Sequence, residues 1–516
     1  MTNKTITILI GLVAAQILAT LHVYLSNTEL FNTVKAVTEA GYLAVPNAHV
    51  MQSLKGFWPA FCGGIFFTLT IGAFLTLFSF ACIITWDSTT ERSNSFLIML
   101  VIFWLSSIFA VSSNGISPTG ITHFVLIPAT VFGAVLIGKR KSEVRIPEVR
   151  TEDKENSEIE NQKSKIKNLI IHIVIFLVLA LTGSMAITEN IFVKIRDNLL
   201  LSNPVGIKVN GFYYKYTLYA AEVFRSDTQK LMRTCRLSID NETLARQMKK
   251  ILLNYNYLII DKETDKVNLD IVQKPADNKS ATSLFFKKNN RITLEITSRE
   301  FFNKPWQILK DFSEKNDRHI FLRSFTFSSL QILSAVILYL ILFIPFRIIS
   351  GFFLTRSKAS IVAGALCLFM GLTVLGYISF GEKININKEN LSEMLESDNW
   401  QHRTAALHFI EESGIDIDKY PAYEKLMSSL HISERFRLAK AMGFSRSHKT
   451  YQELLILLDD SNFNVVYSAF EALGRRREKK AVGEILKRIK SSDNWYVQLY
   501  AYKALRKIGW KQGSGK

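Results

Sequence analysis

Long apolar stretches constrain this chain more than any other feature of its sequence. About 20 apolar residues are enough for a helix to cross a bilayer. Seven stretches reach that length with no Lys, Arg, Asp or Glu in their cores, and we therefore predict a polytopic α-helical membrane protein with seven spans. They are Thr5–Leu25, Trp58–Trp86, Ser95–Ser113, Gly120–Gly138, Asn168–Ile187, Phe325–Ile349 and Ala359–Phe380. The first exceeds the apolar run of a secretory signal peptide, so we interpret it as a retained anchor rather than a cleaved signal.

Basic residues orient these predicted spans. Lys139, Arg140 and Lys141 open the loop after the fourth span, and Arg356 and Lys358 follow the sixth. Loops rich in Lys and Arg face the cytoplasm, so the amino terminus is predicted to be cytoplasmic and the carboxyl terminus extracytoplasmic. The net charge of +18 thus reports topology first. The predicted location is the cytoplasmic (inner) membrane of a prokaryote. Three segments are then expected outside: Ser26–Gly56, Thr188–Ser324 and Gly381–Lys516.

The predicted spans divide the chain into six regions. They are a four-helix membrane region at 1–138, a charged cytoplasmic loop at 139–167, a fifth transmembrane helix at 168–187, an extracytoplasmic α+β domain at 188–324, transmembrane helices six and seven at 325–380, and an extracytoplasmic repeat domain at 381–516. In the α+β domain, "RTCRLSI", "VNLDIV" and "RITLEIT" alternate apolar and polar residues as half-buried strands do. The predicted order β-α-β-β-β-α indicates a small sandwich of ferredoxin-like character.

An aromatic segment, "NGFYYKYTLYAAEVF", precedes the predicted strands. Two interpretations are equally open for its tyrosines, which include Tyr214 and Tyr219. They lie along the bilayer interface, where amphipathic rings are favoured, or they pack against the small domain.

The carboxyl-terminal region repeats itself. Aligning Trp400, Ile432, Phe463 and Trp495 brings apolar residues into register six, nine and ten positions later, with steps of 32, 31 and 32 residues. A fixed period in this range, with apolar residues at helical spacing, predicts an α-solenoid of helix pairs. Gly443 and Gly474 are expected where the first helix of a pair ends.

This pattern resembles the HEAT family, in the short form that also occurs in phycobilisome lyases. The stretch "DDSNFNVVYSAFEALGRRREKKAVGEIL" carries it best, and the resemblance covers about Leu391–Lys511. It implies a helical-repeat fold with a protein-binding or scaffold surface, and nothing catalytic. Residues 1–380 carry no such resemblance, and no motif for a bilin site is present.

Several enzyme and transporter classes lack their sequence signatures. The cores of the predicted spans hold no acid or base, which argues against an ion-coupled transporter. Paired aspartates, HExxH, GxGxxG and GxxxxGK[ST] are missing, and the four cysteines form no CxxC. An enzyme is therefore less favoured than a binding protein.

Two histidines are candidate cofactor ligands. His22 and His123 are both predicted near the outer ends of their spans, at a similar depth. Two facing imidazoles can hold a haem. The favoured interpretation is that each histidine makes its own interfacial hydrogen bond, so no cofactor is predicted and haem remains an alternative.

A basic turn supplies the candidate partner-binding residues: Arg475, Arg476, Arg477, Lys479 and Lys480. They are expected on one rim of the solenoid. The simpler interpretation is a solvated face; the functional one is an electrostatic patch that binds a protein partner or acidic lipid headgroups. We predict a membrane-anchored scaffold or assembly factor that binds protein partners and membrane lipid, but no nucleic acid. The alternative is a membrane enzyme or carrier for a lipid or haem, with the solenoid as a regulatory module.

Overall fold

Long helices, a small sheet and an array of shorter helices make up the protein, as seen in a computed structural model. The structure describes residues 3–88, 94–112, 117–143, 171–172, 174–179, 181–182, 196–222, 224–261, 266–273, 283–380 and 386–513. The predicted cytoplasmic loop beyond Glu143 and much of the predicted fifth span lie outside the described residues.

Six described helices form the amino-terminal part. They are α1 (Asn3–Glu39), α2 (Ala48–Leu54), α3 (Phe57–Phe67), α4 (Ala73–Ser88), α5 (Asn94–Ser112) and α6 (Pro118–Glu143). A π-helical turn, Thr68–Gly72, joins α3 to α4. Gln16 of α1 ties these elements together, because its Nε2 donates to the Phe61 carbonyl at 3.0 Å and its Oε1 accepts from Thr68 Oγ1 at 2.8 Å.

A five-stranded sheet occupies the middle of the chain. Its elements are a π-helical turn (Arg196–Leu200), α7 (Pro204–Phe212), a second π-helical turn (Tyr213–Thr217), α8 (Leu218–Glu222), β1 (Arg233–Ser238), α9 (Glu242–Asn254), β2 (Tyr257–Ile259), β3 (Leu269–Gln273), β4 (Ser283–Lys288), β5 (Arg291–Thr297), α10 (Ser298–Asn303) and α11 (Pro305–Lys315). The strand order is β2-β1-β3-β4-β5. β1 runs parallel to β2 and β3, whereas β3, β4 and β5 form an antiparallel meander.

The observed order β-α-β-β-β-β-α has one strand more than the predicted order β-α-β-β-β-α. The sheet is not ferredoxin-like, because that arrangement, β-α-β-β-α-β, places a strand after its second helix. The predicted strands and the helix between them are present, and the second helical segment follows the last strand, as in the predicted order. Met248 and Leu252 of α9, with Leu309 and Phe312 of α11, are buried against the strands in one apolar core.

Two long helices, α12 (Ile320–Gly351) and α13 (Arg356–Phe380), follow the sheet. Among the described residues, four helical stretches are long and apolar enough to cross a membrane: Lys4–Glu39, Phe57–Ile83, Pro118–Gly138 and Ile320–Gly351. A shorter apolar stretch, Ser357–Thr373, lies in α13.

The carboxyl-terminal region is an array of helices. They are α14 (Leu391–Glu396), α15 (Trp400–Ser413), α16 (Ile432–Met442), α17 (His448–Leu457), α18 (Phe463–Arg476), α19 (Val482–Ser491) and α20 (Trp495–Ile508). The four residues aligned in the sequence are the first residues of α15, α16, α18 and α20, and these helices pack against one another in that order.

The turn before three of these helices is held by the same contact. Arg403 Nη1 donates to the Ser397 carbonyl at 2.5 Å, and Gln498 Nε2 donates to the Ser492 carbonyl at 2.7 Å. Arg435 donates to the Ser429 carbonyl in the same way. Each donor lies three residues after the first residue of its helix, and each acceptor lies three residues before it. The repeats therefore share this polar contact as well as their apolar positions.

Gly443 follows the end of α16, as expected, but Gly474 lies inside α18. That helix continues to Arg476, and Arg477 takes the left-handed conformation, with φ of 56°, that caps it. Gly474 instead allows close packing of α18 on α20, because a Cβ at Gly474 would lie 2.9 Å from Ala504 Cα of α20.

We expect Gly474→Ala to destabilise the helical array, because the added methyl group meets backbone rather than a movable side chain. Overpacking of this kind costs about 1–3 kcal/mol. Gly483→Ala is the matched control: nothing lies within 4 Å of a Cβ at Gly483, and alanine is the better helix former. Thermal unfolding of the two full-length variants should place Gly474→Ala below the wild type and Gly483→Ala at or above it. Equal melting temperatures for both variants would contradict this packing.

Candidate functional site

The helical array carries a surface that the chain itself covers. We call it the inner face and define it by Phe436 and Arg437 of α16, Tyr467 of α18 and Tyr496 of α20. The first residues described after the predicted fifth span bind here. Ser433 Oγ donates to the Asp197 carbonyl at 2.8 Å, and Arg196 Nη1 donates to the Tyr467 hydroxyl at 3.0 Å.

Buried charges dominate this contact. Asp197 is 4% exposed and accepts from Arg437, which is 6% exposed, at 3.0 Å. Arg437 also donates to Glu411 at 3.0 Å, and Lys440 lies 3.3 Å from the same carboxylate. Burial opposes ionisation of Glu411, but Lys440 and Arg437 outweigh it and hold its pKa below the ordinary value. Removing one member of such a buried set strands the charges of the others.

Aromatic rings extend the inner face toward α20. The ring of Tyr214 lies 4.7 Å from that of Tyr496 and 5.1 Å from that of Phe463, measured between centroids. Trp495 Nε1 donates to the Tyr214 carbonyl at 2.9 Å, and the Trp495 ring packs against Tyr219. Tyr214 and Tyr219 therefore pack on the helical array, which neither interpretation of the aromatic segment had anticipated.

The loop between α1 and α2 binds α20 and the residues after it. Gln512 forms two hydrogen bonds with the backbone of Leu43, accepting from its N–H at 3.0 Å and donating to its carbonyl at 2.8 Å. Gln498 Oε1 accepts from the Asn47 N–H at 2.8 Å. An amide side chain that pairs with backbone in both directions fixes position and orientation together.

The α+β domain also binds α20. Tyr502 donates to Asn256 Oδ1 at 3.0 Å, and Arg506 donates to the Asn254 carbonyl at 2.8 Å. The described residues within 40–54, 196–318 and 386–513 are therefore joined through polar and apolar contacts. We call this assembly the joint body.

The predicted basic turn is divided by the structure. Arg477, Lys479 and Lys480 are exposed, and Lys480 Nζ lies 2.9 Å from Glu478 and 3.9 Å from the centroid of the Tyr451 ring. Arg475 is half-buried over the Phe444 ring, with its guanidinium carbon 4.4 Å from the ring centroid.

Arg476 is the exception to the expected exposed rim. It is 2% exposed and donates to Thr450 Oγ1 at 2.8 Å, to the Ser447 carbonyl at 2.8 Å and to Glu478 at 2.8 Å. The expectation that Arg476 projects to a partner is therefore wrong. Charge alone does not reveal this, because three successive arginines at a helix end point in different directions around its axis.

The two candidate histidines do lie together. The centroids of the His22 and His123 rings are 5.5 Å apart. Thr122 Oγ1 donates to the Pro118 carbonyl at 2.8 Å, so it accepts from His22 Nε2 at 2.8 Å. His22 Nδ1 then accepts from Thr119 Oγ1 at 3.3 Å. His123 Nδ1 donates to the Thr119 carbonyl at 2.7 Å, and its buried Nε2 has no hydrogen-bond partner.

These hydrogen bonds do not fit a haem. Axial ligation by two histidines needs one nitrogen lone pair from each ring. Both nitrogens of His22 are engaged with threonine hydroxyls, so of the two rings only His123 offers a nitrogen without a hydrogen bond, at Nε2. Among the described residues no group of three or more His, Cys, Asp and Glu could hold a metal ion.

The residues that make the inner face were missed in the sequence. Arg437 and Glu411 lie in helices of the repeat, but the alignment of the repeats uses only their apolar positions. A signal exists: Arg196 and Asp197 form a charged pair between the predicted fifth span and the apolar run "NLLL". It does not say where in the fold these two charges find partners.

No protein-family model, no curated protein and no solved structure matches the chain. The HEAT-like resemblance therefore rests on the repeat residues themselves and stays a prediction.

We expect Arg476→Gln to destabilise the helical array while Arg477→Gln leaves it unchanged. Arg476 is buried among a carboxylate, a hydroxyl and carbonyls that lose their partner, and breaking a buried ion pair costs about 3–5 kcal/mol. Arg477 is exposed, where a charge contributes about 1 kcal/mol or less. Limited proteolysis of the two full-length variants would test this. If both tails resist the protease equally, Arg476 has no structural role.

Proposed function

We propose that this protein is a multi-pass membrane protein with seven spans and that the joint body lies on one side of the membrane. Segments that touch one another share a side, so the chain crosses an even number of times between any two of them. α3 with α4, α5, α6 and the predicted fifth span give four crossings between Leu54 and Arg196. α12 and α13 give two more before residue 386, so this parity favours α13 as a span.

The side is proposed from charge. Lys139 and Lys141 lie near the carboxyl end of α6, whose amino end contacts His22 of α1. Arg356 begins α13, whose other end leads toward residue 386 of the joint body. By the positive-inside rule those ends are cytoplasmic, which supports an extracytoplasmic joint body and an inner-membrane location in a prokaryote.

The helical array is proposed to be a HEAT-like solenoid. Two observations support this. Four helices begin at the residues that the repeat alignment predicts, and the turn before three of them is held by Arg403, Arg435 or Gln498 at the same repeat position. Repeat proteins gain stability from contacts between neighbouring repeats. Because Arg196, Asp197 and Tyr214 bind its inner face, the array also holds other segments of the same chain in place.

The proposed function is that of a non-enzymatic scaffold that holds a protein partner at the outer face of the membrane. The observation that carries it is the exposed basic surface on α19 and the turn before it, presented by a body that is fixed at several contacts. This surface consists of Arg477, Lys479, Lys487 and Lys490, all exposed. Its charge fits a partner with an acidic surface.

The test reverses the charge of this surface without touching Arg476. We expect Arg477→Glu, Lys479→Glu and Lys487→Glu together to abolish photo-crosslinking from a benzoylphenylalanine placed at Lys490 in intact membranes. The wild-type crosslink should go to one acidic protein and should fade as salt rises, because exposed charges are screened within about 10 Å at 0.1 M salt.

The matched control reverses three exposed basic residues of α9: Arg246, Lys249 and Lys250. It changes the net charge equally and should leave the crosslink intact. A crosslink that survives reversal of the basic surface, or that both variants lose alike, would refute partner binding at α19.

A further inference from the structure

A cavity of about 490 Å³ lies where the α+β domain meets the long helices. α3, the residues after α8 and the start of α12 form its walls. Its volume is in the range of small-molecule sites, about 300–1,000 Å³. Its lining is apolar at one end and basic at the other. The residues that decide its chemistry are Phe66, Phe67, Arg225, Arg323, Thr326 and Phe327.

Two arginines mark the basic end. Arg323 is held by Asp317 through two contacts, of 2.9 and 2.5 Å, and donates to the Phe224 carbonyl at 2.8 Å. Three of its five N–H groups are thereby used, and the other two remain for a ligand. Arg225 and Gln229 also line the cavity, and Arg225 directly follows Phe224, whose carbonyl binds Arg323.

The surroundings of this end are also basic. Burial lowers the pKa of His319 to about 4; Lys230, Arg323 and Lys288 contribute to this shift, and Asp317 opposes it. Lys230 and Lys288 in turn bind Asp227 at 3.0 and 2.6 Å. Four basic side chains, Arg225, Lys230, Lys288 and Arg323, thus lie near two carboxylates, Asp227 and Asp317, and the excess positive charge favours an anion at this end.

The apolar end follows one face of α12. Arg323, Thr326, Phe327 and Leu330 are three or four residues apart and line the same side of this helix. All four lie inside Ile320–Gly351, the apolar stretch that is long enough to cross a membrane, with Arg323 in its first turn. Phe327 is 55% exposed, so the cavity opens sideways at this depth. Thr326 is 5% exposed, and its buried Oγ1 has no hydrogen-bond partner.

We propose that this cavity binds a membrane lipid with an anionic, phosphate-bearing headgroup. The headgroup lies at Arg225 and Arg323, and an acyl chain follows Phe66, Phe67 and Phe327 toward the bilayer. A soluble phosphate compound would use the basic end but leave the apolar end empty. The inference rests on the membrane placement proposed above, although not on partner binding by α19.

Native mass spectrometry of the full-length protein in detergent, titrated with phosphatidylglycerol or phosphatidylcholine, tests the site. The wild type should bind one molecule of phosphatidylglycerol with higher affinity than any further lipid molecule. Thr326→Phe fills the cavity and should lower that affinity at least tenfold. Ser334→Phe is the matched control, since Ser334 is exposed on α12 and outside the cavity.

A second pair of variants tests the charge. Arg225→Gln should reduce the preference for phosphatidylglycerol over phosphatidylcholine about tenfold, because a charge-assisted hydrogen bond is lost. Arg318→Gln, which removes an exposed arginine outside the cavity lining, should keep the preference. Glycerol 1-phosphate, the headgroup without its chains, should compete poorly.

Three results would overturn the proposal: equal binding by Thr326→Phe and Ser334→Phe, an unchanged preference in Arg225→Gln, or full competition by glycerol 1-phosphate, which would make the ligand soluble. If Thr326→Phe does not fold, Phe327→Ala takes its place as the cavity variant. Phe369→Ala is its control, because Phe369 lies on α13 outside the cavity lining and is 72% exposed. Phe327→Ala should weaken binding severalfold, and no change would count against the site. Protein that fails to float with liposomes refutes the membrane placement, whereas floating protein without lipid preference refutes only this site.

Discussion

The joint body depends on the buried ion pair between Asp197 and Arg437. These side chains are 4% and 6% exposed, so each would carry an uncompensated charge if the other moved away. Arg437 is held in turn by Glu411 at 3.0 Å. The attachment therefore has a defined geometry, because a shift of either partner breaks several charged hydrogen bonds at once.

This attachment changes the interpretation of the helical array. A free array would offer its inner face to other proteins, whereas here Arg196, Asp197 and Tyr214 occupy that face. The partner site that we propose, the exposed basic surface on α19 and the turn before it, lies outside this occupied face. The same rigid packing holds the α+β domain against α12, which keeps the two arginines of the cavity above its apolar end.

The sequence predicted the periodic features well and the tertiary contacts poorly. Helices begin at Trp400, Ile432, Phe463 and Trp495 because local periodicity and capping decide where helices start. His22 and His123 were expected at one depth, and they lie side by side. Arg476 was misjudged, and Arg437 was overlooked, because burial of a charge depends on residues distant in sequence. The seven-span count remains a prediction, since four described stretches have the required length and apolarity.

Hydrogen–deuterium exchange of the full-length protein tests the joint body most directly. Peptides that cover residues 40–50 and 196–212 should exchange slowly, because their backbone and side chains are bound to the helical array. Leu473 is fully buried in the core of that array, so Leu473→Asp should loosen it. Exchange should then rise together in both peptides and in α18. Rapid exchange of the two peptides in the wild type, or no change in the variant, would contradict the account.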